Sequence, residues 1–343
     1  MTRSEIDRNM NLSDDNMLLF AFQSSWALAE SVANNLNCEL NPLEERNFEG
    51  GEHKTRPLIS VRNKEVFLIN SLYLDPENSV NDKLVKTLLV SGAMKDGGAK
   101  KLTLILPYLC YSRKDRRTKQ FDPVNTRYIA QMIESVGVDQ IITIDVHNLQ
   151  AYQNAFRINS IHLQATELFA DYFVRHHKSD ALTVLSPDSG GVKRADHFRK
   201  MLQLKMNTEI PLGMSEKFRS KDVVSGQTLS GEVNNRDVII YDDMVSSGTS
   251  LLKAAKLCQE KGARNIYAAA THGLFTPAAS ETLDNPVLKK IVVGNSVWPL
   301  NIQNKLLDSK IKVLDLGPTI GFAINKIIDG EAIESESETI LGN

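Results

Sequence analysis

One stretch limits what this chain can fold into more than any other: Val238-Ile239-Ile240-Tyr241-Asp242-Asp243-Met244-Val245-Ser246-Ser247-Gly248-Thr249-Ser250-Leu251. It reads as a buried strand, two acids, a turn of small residues and a helix that runs on through Ala254, Ala255 and Leu257. Each part suits a phosphorylated sugar. Ser, Thr and Gly let backbone N–H groups converge on an anion without side-chain bulk, and the helix behind adds the positive end of its dipole. Open α/β sheets bind ligands at the carboxyl ends of their strands, where the two carboxylates stand ready for hydroxyls. A plain strand–turn–helix with acidic loop residues is the alternative, and the adjacent acids directly before the turn weigh against it.

A chain of 343 residues is long enough for two domains with full-sized cores. Its 24% charged and 42% hydrophobic residues are ordinary for a soluble globular protein. A net charge of -2 gives no bulk electrostatic case for nucleic acid or an anionic membrane. Cys38, Cys110 and Cys258 are odd in number and far apart, which fits reduced thiols in a cytoplasm. The early apolar run Met17–Phe22 is too short for a membrane span and lacks the basic flank of a signal peptide, so it reads as the first core strand.

Strands and helices alternate along the rest of the chain. Trp26–Leu36 has helical spacing after a candidate cap at Ser24-Ser25, and Phe48–Lys54 is a turn dense in Gly and charge. Ile59–Val61 and Val66–Ile69 are expected to pair as a hairpin around Arg62-Asn63-Lys64. Asn81–Met94 is expected as a helix with Leu84, Leu88 and Leu89 on one face. Leu102–Leu106, Gln140–Ile144, Ala181–Leu185, Asn265–Thr271 and Lys290–Val293 read as strands. Thr126–Ser135, Thr166–His176, Val192–Gln203, Ala278–Leu283 and Ile320–Ile328 read as helices. Residues 207–231 read as mobile loops and short strands. The order argues for parallel βαβ sheets and occurs twice, which implies two α/β domains, each a mainly parallel sheet flanked by helices. The expected extents are 15–160, 161–314, a C-terminal helix at 315–330 that packs back on the first domain, and an acidic tail at 331–343.

Four further groups stand at strand ends or in loops. Arg113, Lys114, Asp115, Arg116 and Arg117 form the densest basic cluster, which suits a polyphosphate; a solvated charged loop is the alternative. His147, two residues after Asp145, could hold a metal or a phosphate oxygen, although a lone His is more often structural. Asp188, at a strand end before a Gly-rich helix start, is a candidate Mg²⁺ ligand or an ordinary helix cap. Lys217 and Arg219 sit two apart in Glu216-Lys217-Phe218-Arg219, where they could close over a transferring phosphoryl group.

Taken together, these stretches resemble the ribose-phosphate pyrophosphokinase family, the synthetases of phosphoribosyl pyrophosphate (PRPP). Leu106-Pro107-Tyr108 through Arg117 is similar to the family's Pro-Tyr…Tyr-Ala-Arg-Gln-Asp-Arg-Arg stretch, and Asp145-Val146-His147 to its Asp-Leu-His. Ser186 to Val192 is similar to Ser-Pro-Asp-x-Gly-Gly-Val, and Glu216–Arg219 to its catalytic loop. Asp242–Ser250 is similar to its ribose-phosphate loop, and Thr271–Phe275 to Thr-His-x-x-Phe. The resemblance covers about Leu18 to Ile328 and implies two tandem phosphoribosyltransferase-like domains. It implies transfer of the diphosphoryl group of ATP to the 1-hydroxyl of ribose 5-phosphate, giving PRPP and AMP. By it, Lys217 and Arg219 would be catalytic, and His147 and Asp188 would serve Mg²⁺. Phe48, Glu52, Arg113, Lys114, Asp115 and His147 would contact ATP, with Phe48 and Glu52 reaching the adenine bound by a neighbouring subunit. Arg219, Asp242, Asp243, Ser246, Ser247, Gly248, Thr249 and Ser250 would hold ribose 5-phosphate. A cytoplasmic homo-oligomer, a dimer assembling to a hexamer, is implied, with no nucleic-acid or membrane partner.

The chain departs from the family pattern at several positions. Gly50 stands where Phe-x-Asp-Gly-Glu has its Asp, Ser246 where the ribose-phosphate loop has Asp, Lys114 for Gln and Phe218 for Arg. Thr118–Pro123 lacks the family's Arg-Ser-Ala-Arg run, which belongs to its regulatory ADP site. Two other readings share parts of this pattern: a phosphoribosyltransferase that consumes PRPP, and a non-catalytic relative that binds partner synthetases. Two domains and both basic loops weigh against the first, and the presence of Lys217 and Arg219 against the second.

Overall fold

The computed structural model describes residues 16–177, 179, 181–218 and 226–333, and only the backbone of 216–218 and 226–227. It divides into two compact units, one holding the chain up to Leu163 together with Gly317–Ile333, the other Gln164–Leu316.

In the first unit, β1 (Met17–Ala21) is followed by α1 (Trp26–Leu36), the antiparallel pair β2 (Leu43–Asn47) and β3 (His53–Pro57), and then β4 (Glu65–Ile69). Next come α2 (Val80–Asp96), β5 (Lys101–Leu106), α3 (Asn125–Ser135), β6 (Gln140–Ile144), α4 (Leu149–Ala155) and β7 (Asn159–Leu163). Five strands form one sheet in the order β1-β4-β5-β6-β7, with every pair parallel. Both faces of such a sheet are covered, so its strands are near-continuous apolar runs: Val66 to Ile69 and Leu102 to Leu106, apolar but for Thr103, are all buried.

That buried run explains one difference from the sequence reading. Val66–Ile69 does not pair with Ile59–Val61; it lies between β1 and β5 as a central parallel strand. Asn63 takes φ 57 and donates its N–H to Gly98 O at 2.8 Å, so the Arg62-Asn63-Lys64 segment is a tight entry turn, not a hairpin tip. The hairpin of this unit is β2–β3, closed over Phe48–Glu52.

Helix α2 also differs in its buried face. Ser79 caps it, accepting from Asp82 N at 3.1 Å while the Asp82 carboxylate accepts Ser79 N at 2.8 Å, a reciprocal box worth about 1 kcal/mol. The inward face carries Lys83, Leu84, Lys86, Thr87, Val90, Ser91 and Met94, while Leu89 points to solvent. Lys83 is tolerated inside because its ammonium lies 2.6 Å from Asp75 and over the Tyr73 ring. At α1, the expected cap fails as well: Ser25 makes no side-chain cap bond, and its hydroxyl instead accepts Ser71 N at 2.8 Å.

In the second unit, α5 (Thr166–His176) leads to β8 (Leu182–Ser186), α6 (Val192–Met206), β9 (Leu212–Phe218), β10 (Gly226–Ser230) and β11 (Asp237–Val245). Then follow α7 (Thr249–Glu260), β12 (Asn265–Gly273), α8 (Ala279–Leu283), β13 (Lys290–Gly294), α9 (Asn304–Ser309) and β14 (Ile311–Leu314). The sheet order is β10-β9-β8-β11-β12-β13-β14, parallel except for the β9–β10 edge pair. Strand β11 is central, and one side of it packs Val238 and Ile240 against Ala254, Ala255 and Cys258 of α7, with Phe275 and Leu283 in the same core. The segment at 207–231 thus contains two paired strands, and residues 219–225 lie outside the described ones.

The last helix, α10 (Gly317–Asp329), belongs to the first unit and packs on α1. Gly317 and Gly321 permit the approach, since a Cβ at either would overlap Ser31 or Asn35. Among the described residues no helix is long and apolar enough to cross a membrane.

Candidate active site

The carboxyl end of β11 builds the densest constellation in the second unit. The strand runs two turns of its pleat further than the apolar residues alone predict, so Asp242 and Asp243 lie within it. Asp243 is buried and Asp242 half-buried, with 3% and 28% of their side chains exposed. Arg194, from the first turn of α6, places Nη1 2.8 Å from Asp242 Oδ1 and 3.3 Å from Asp243 Oδ1. The Asp243 N–H donates to Asp242 Oδ1 at 2.9 Å. Burial, then the neighbouring Asp243 charge, push the Asp242 carboxyl up to about 8, against the pull of Arg194.

After the acids the chain turns through Ser246 and Ser247 into Gly248, which takes φ 75 and caps α7. Glycine is required there twice over. The left-handed conformation disfavours other residues, and a Cβ would stand 2.5 Å from Leu283 Cδ2 and 2.8 Å from its Cγ. The turn is held from behind, because Ser246 O accepts Thr276 N at 3.2 Å and Val245 O accepts Leu274 N at 3.0 Å. Ser247 Oγ and Thr249 Oγ1 lie 3.0 Å apart at the mouth, and Ser250 follows in the first turn of the helix. The first N–H groups of a helix have no intrahelical partner, so the start of this 12-residue helix is suited to an anion.

Neighbouring β8 ends in Ser186 and the Pro187-Asp188-Ser189-Gly190-Gly191 turn. Asp188 is exposed, and its Oδ1 accepts Gly190 N at 2.9 Å and Gly191 N at 3.1 Å. It therefore orders the turn before α6 while its carboxylate faces solvent. On the other side, Lys217 lies on β9 opposite Gln227 of β10; its side chain and all of Arg219 lie outside the described residues.

The remaining candidates belong to the first unit. Phe48 and Glu52 close the β2–β3 hairpin, the Phe48 N–H donating to Glu52 O at 2.8 Å. Phe48 is 42% exposed with the Arg46 guanidinium 5.1 Å from its ring centre, and Glu52 is exposed. Gly50 takes the position beside the tip with open space around it. The loop end of the hairpin is tied to the start of α2 by His53 Nε2, 3.3 Å from Asp82 Oδ1. Tyr111, just before the basic cluster, hydrogen-bonds Asn81 of the same turn. One helix start thus anchors both the hairpin and the basic loop.

Within that loop the charges are not equivalent. Arg113, Arg116 and Arg117 are exposed. Lys114 is paired with Asp122, whose Oδ2 also accepts Thr118 N at 3.0 Å, Thr118 Oγ1 at 2.7 Å and Lys119 N at 2.9 Å. Asp115 accepts Asn148 Nδ2 at 2.6 Å, which brings the loop beside exposed His147. His147 follows Asp145, a buried residue at φ 41 whose N–H donates to Leu163 O at 3.0 Å. No group of three or more His, Cys, Asp or Glu able to hold a metal occurs among the described residues.

Comparison with known proteins decides the family. Residues 17–137 match the N-terminal domain of ribose phosphate pyrophosphokinase, and residues 184–336 match the phosphoribosyl synthetase-associated domain. A ribose-phosphate pyrophosphokinase of Ureaplasma parvum is 34% identical over 92% of this chain and 93% of its own. Ribose-phosphate pyrophosphokinase 2 of Enterococcus faecalis is 30% identical over 95% and 97%. The crystal structure of phosphoribosylpyrophosphate synthetase from Mycobacterium smegmatis superposes with a TM-score of 0.82, covering 92% of this chain and all of the other at 28% identity. The chain belongs to the ribose-phosphate pyrophosphokinase family. It is an enzyme of that family, and its α/β fold is the family's pair of phosphoribosyltransferase-like domains.

Against the pyrophosphokinase pattern, sequence reasoning missed one residue of the β11 constellation and one of the basic loop. Arg194 lies 48 residues from Asp242 in sequence, and only its place after Gly190-Gly191 could have marked it. Asp122 has the spacing of a local turn, which gives no sign that its carboxylate takes Lys114.

Proposed function

We propose that the chain forms PRPP and AMP from ribose 5-phosphate and ATP, with Mg²⁺ as cofactor. The observation that carries this reading is the end of β11: two carboxylates, then a Gly248 turn at the start of a helix, in a chain of this family. Anion-binding N–H groups and hydroxyl-binding acids within nine residues suit both ends of a phosphorylated ribose.

On this reading the backbone and hydroxyls of Ser246, Ser247, Gly248, Thr249 and Ser250 hold the 5-phosphate, and the acid pair Asp242 and Asp243 serves the ring hydroxyls. The 1-hydroxyl oxygen attacks the β-phosphorus of ATP. A new C–O–P link forms, the bond from that phosphorus to the α-phosphate oxygen breaks, and AMP leaves while the hydroxyl proton is lost to solvent. Displacement at phosphorus depends on positioning and on neutralising charge, and no covalent nucleophile is needed. Lys217 and Arg219 supply cations for the charge that develops. Arg113, Lys114, Asp115 and His147 contact ATP, and Phe48 and Glu52 reach the adenine of a neighbouring subunit's ATP in a homo-oligomer.

Asp188 suits a magnesium ion, since its exposed carboxylate is a hard oxygen donor and Mg²⁺ commonly takes one or two carboxylates plus waters and substrate phosphates. His147 is the other residue of this reading that would serve Mg²⁺. The ion supplies neutralisation of phosphate charge; the chain's own residues orient both substrates. Purified protein incubated with Mg²⁺, ATP and ribose 5-phosphate is expected to yield AMP and PRPP in equal amounts. Formation of neither, together with nucleotide formation from PRPP and a base, would establish a phosphoribosyltransferase instead; no reaction in either assay would leave a non-catalytic relative.

A further inference from the structure

The acid pair on β11 raises a geometric difficulty. Successive residues on a strand point to opposite faces, so Asp242 and Asp243 should diverge. One guanidinium nitrogen nevertheless reaches both, at 2.8 and 3.3 Å, and the Asp243 N–H closes onto the same Asp242 oxygen. Arg194 is itself largely buried, with 19% of its side chain exposed.

A glycine stands beside this contact, with Ser186 as its tightest neighbour. Gly191 precedes α6, and a Cβ there would lie 2.8 Å from Ser186 Oγ, 3.4 Å from Asp242 Oδ1 and 3.8 Å from Arg194 Nη1. Gly191 adopts an ordinary helical backbone, so it is needed for space and not for conformation. Arg194 also stands in the first turn of a 15-residue helix that has no acid in that turn. A cation at this end opposes the helix dipole. A residue placed against its local preference, and paired across the fold, marks a site function.

We infer that Arg194 is a positioning residue for the sugar phosphate: it holds Asp243 beneath Asp242 so that the more exposed acid is presented to the ribose hydroxyls. This rests on the reading of residues 242–250 as the ribose 5-phosphate site.

Three variants test it, Arg194→Met, Arg194→Lys and Gly191→Ala, each assayed for AMP formation and for ribose 5-phosphate binding by calorimetry. Wild-type AMP formation tests the proposed reaction by itself. For Arg194→Met we expect the KM or Kd for ribose 5-phosphate to rise at least tenfold, with the KM for ATP within threefold of wild type. Arg194→Lys should recover part of the loss. Gly191→Ala, which keeps the guanidinium but presses on Ser186 Oγ beside the pair, should shift ribose 5-phosphate in the same direction and serves where the Met variant does not fold. Calorimetry judges the variants even if the wild type makes no AMP. The inference is overturned if ribose 5-phosphate affinity is unchanged, if ATP and ribose 5-phosphate weaken together, if Lys is no better than Met, or if the wild type does not bind ribose 5-phosphate.

Discussion

Replacing Gly248 with alanine isolates the geometry on which the proposed acceptor site depends. Two costs apply. The backbone at φ 75 is left-handed, which costs an L-residue about 1–2 kcal/mol. The new methyl would also stand 2.5 Å from Leu283 Cδ2, in a core where Leu283 is fully buried, and forcing a methyl into such packing costs about 1–3 kcal/mol. Together they predict destabilisation of about 2–5 kcal/mol, read from urea unfolding. The same displacement moves the turn that starts α7, so the KM for ribose 5-phosphate should rise while that for ATP stays nearly constant. The Leu283→Ala background separates the two costs. Alone it loses about 2–5 kcal/mol by leaving a cavity. With Gly248→Ala present, the methyl enters that space, so the double variant should be more stable than the sum of the singles by about 1–3 kcal/mol. A single variant within about 0.5 kcal/mol of wild type, or strict additivity, would refute the steric account.

Three further outcomes follow from particular contacts. Asp75→Ala leaves the ammonium of Lys83, 2% exposed, without its carboxylate and should cost about 3–5 kcal/mol in urea unfolding, whereas Lys83→Met removes the buried charge and should cost clearly less. Lys217→Ala should lower kcat by about 10²–10³-fold with ribose 5-phosphate affinity, measured by calorimetry, within about threefold of wild type; an unchanged rate ends its catalytic assignment. The Asp242 carboxyl is held at about 8 against a reference of 3.8, so the folded state binds its proton more tightly than the unfolded chain. That contribution is present below the reference value and is lost as pH rises toward 8. Asp243→Asn removes the neighbouring charge, so its Tm relative to wild type should climb between pH 4 and 8, and a flat difference would contradict this origin of the shift.

The parts of this molecule that were legible in sequence are those whose signal is local. Val238 through Leu251 carries its strand, turn and helix in consecutive residues, and the structure changes only where the strand stops, since β11 runs through both acids. The β4 segment shows the opposite case. Val66-Phe67-Leu68-Ile69 is recognisable as a strand, but its partners are Leu18–Ala21 and Leu102–Ile105, and parallel pairing leaves no mark near the strand itself. A turn at Arg62-Asn63-Lys64 looked like a hairpin because its chemistry is right for a turn, while which segments a turn joins is decided by the sheet. On α2 the spacing put Leu84, Leu88 and Leu89 on one face, yet Lys83 and Lys86 are buried and Leu89 is not. Asp75 lies eight residues before Lys83, and Asn78, whose side chain takes Lys86 at 2.7 Å, lies eight residues before that; apolar periodicity ignores such partners.

The same distinction governs the charges of the site. A sequence counts cations, but catalysis depends on which of them are committed to the chain's own acids. Arg194 bridges Asp242 and Asp243, and Lys114 meets Asp122, so neither presents a whole positive charge to an incoming polyanion. Arg113, Arg116 and Arg117 are exposed on a loop whose fold is fixed through Asp115 and Asp122. The basic cluster therefore acts as a set of guanidinium forks on a braced loop, and Lys114 can reach phosphate only by exchanging a carboxylate for it. Since guanidinium offers paired donors to phosphate oxygens, the forks are, in the proposed reaction, the groups that would orient a triphosphate, and Lys114 would grip it only after that exchange.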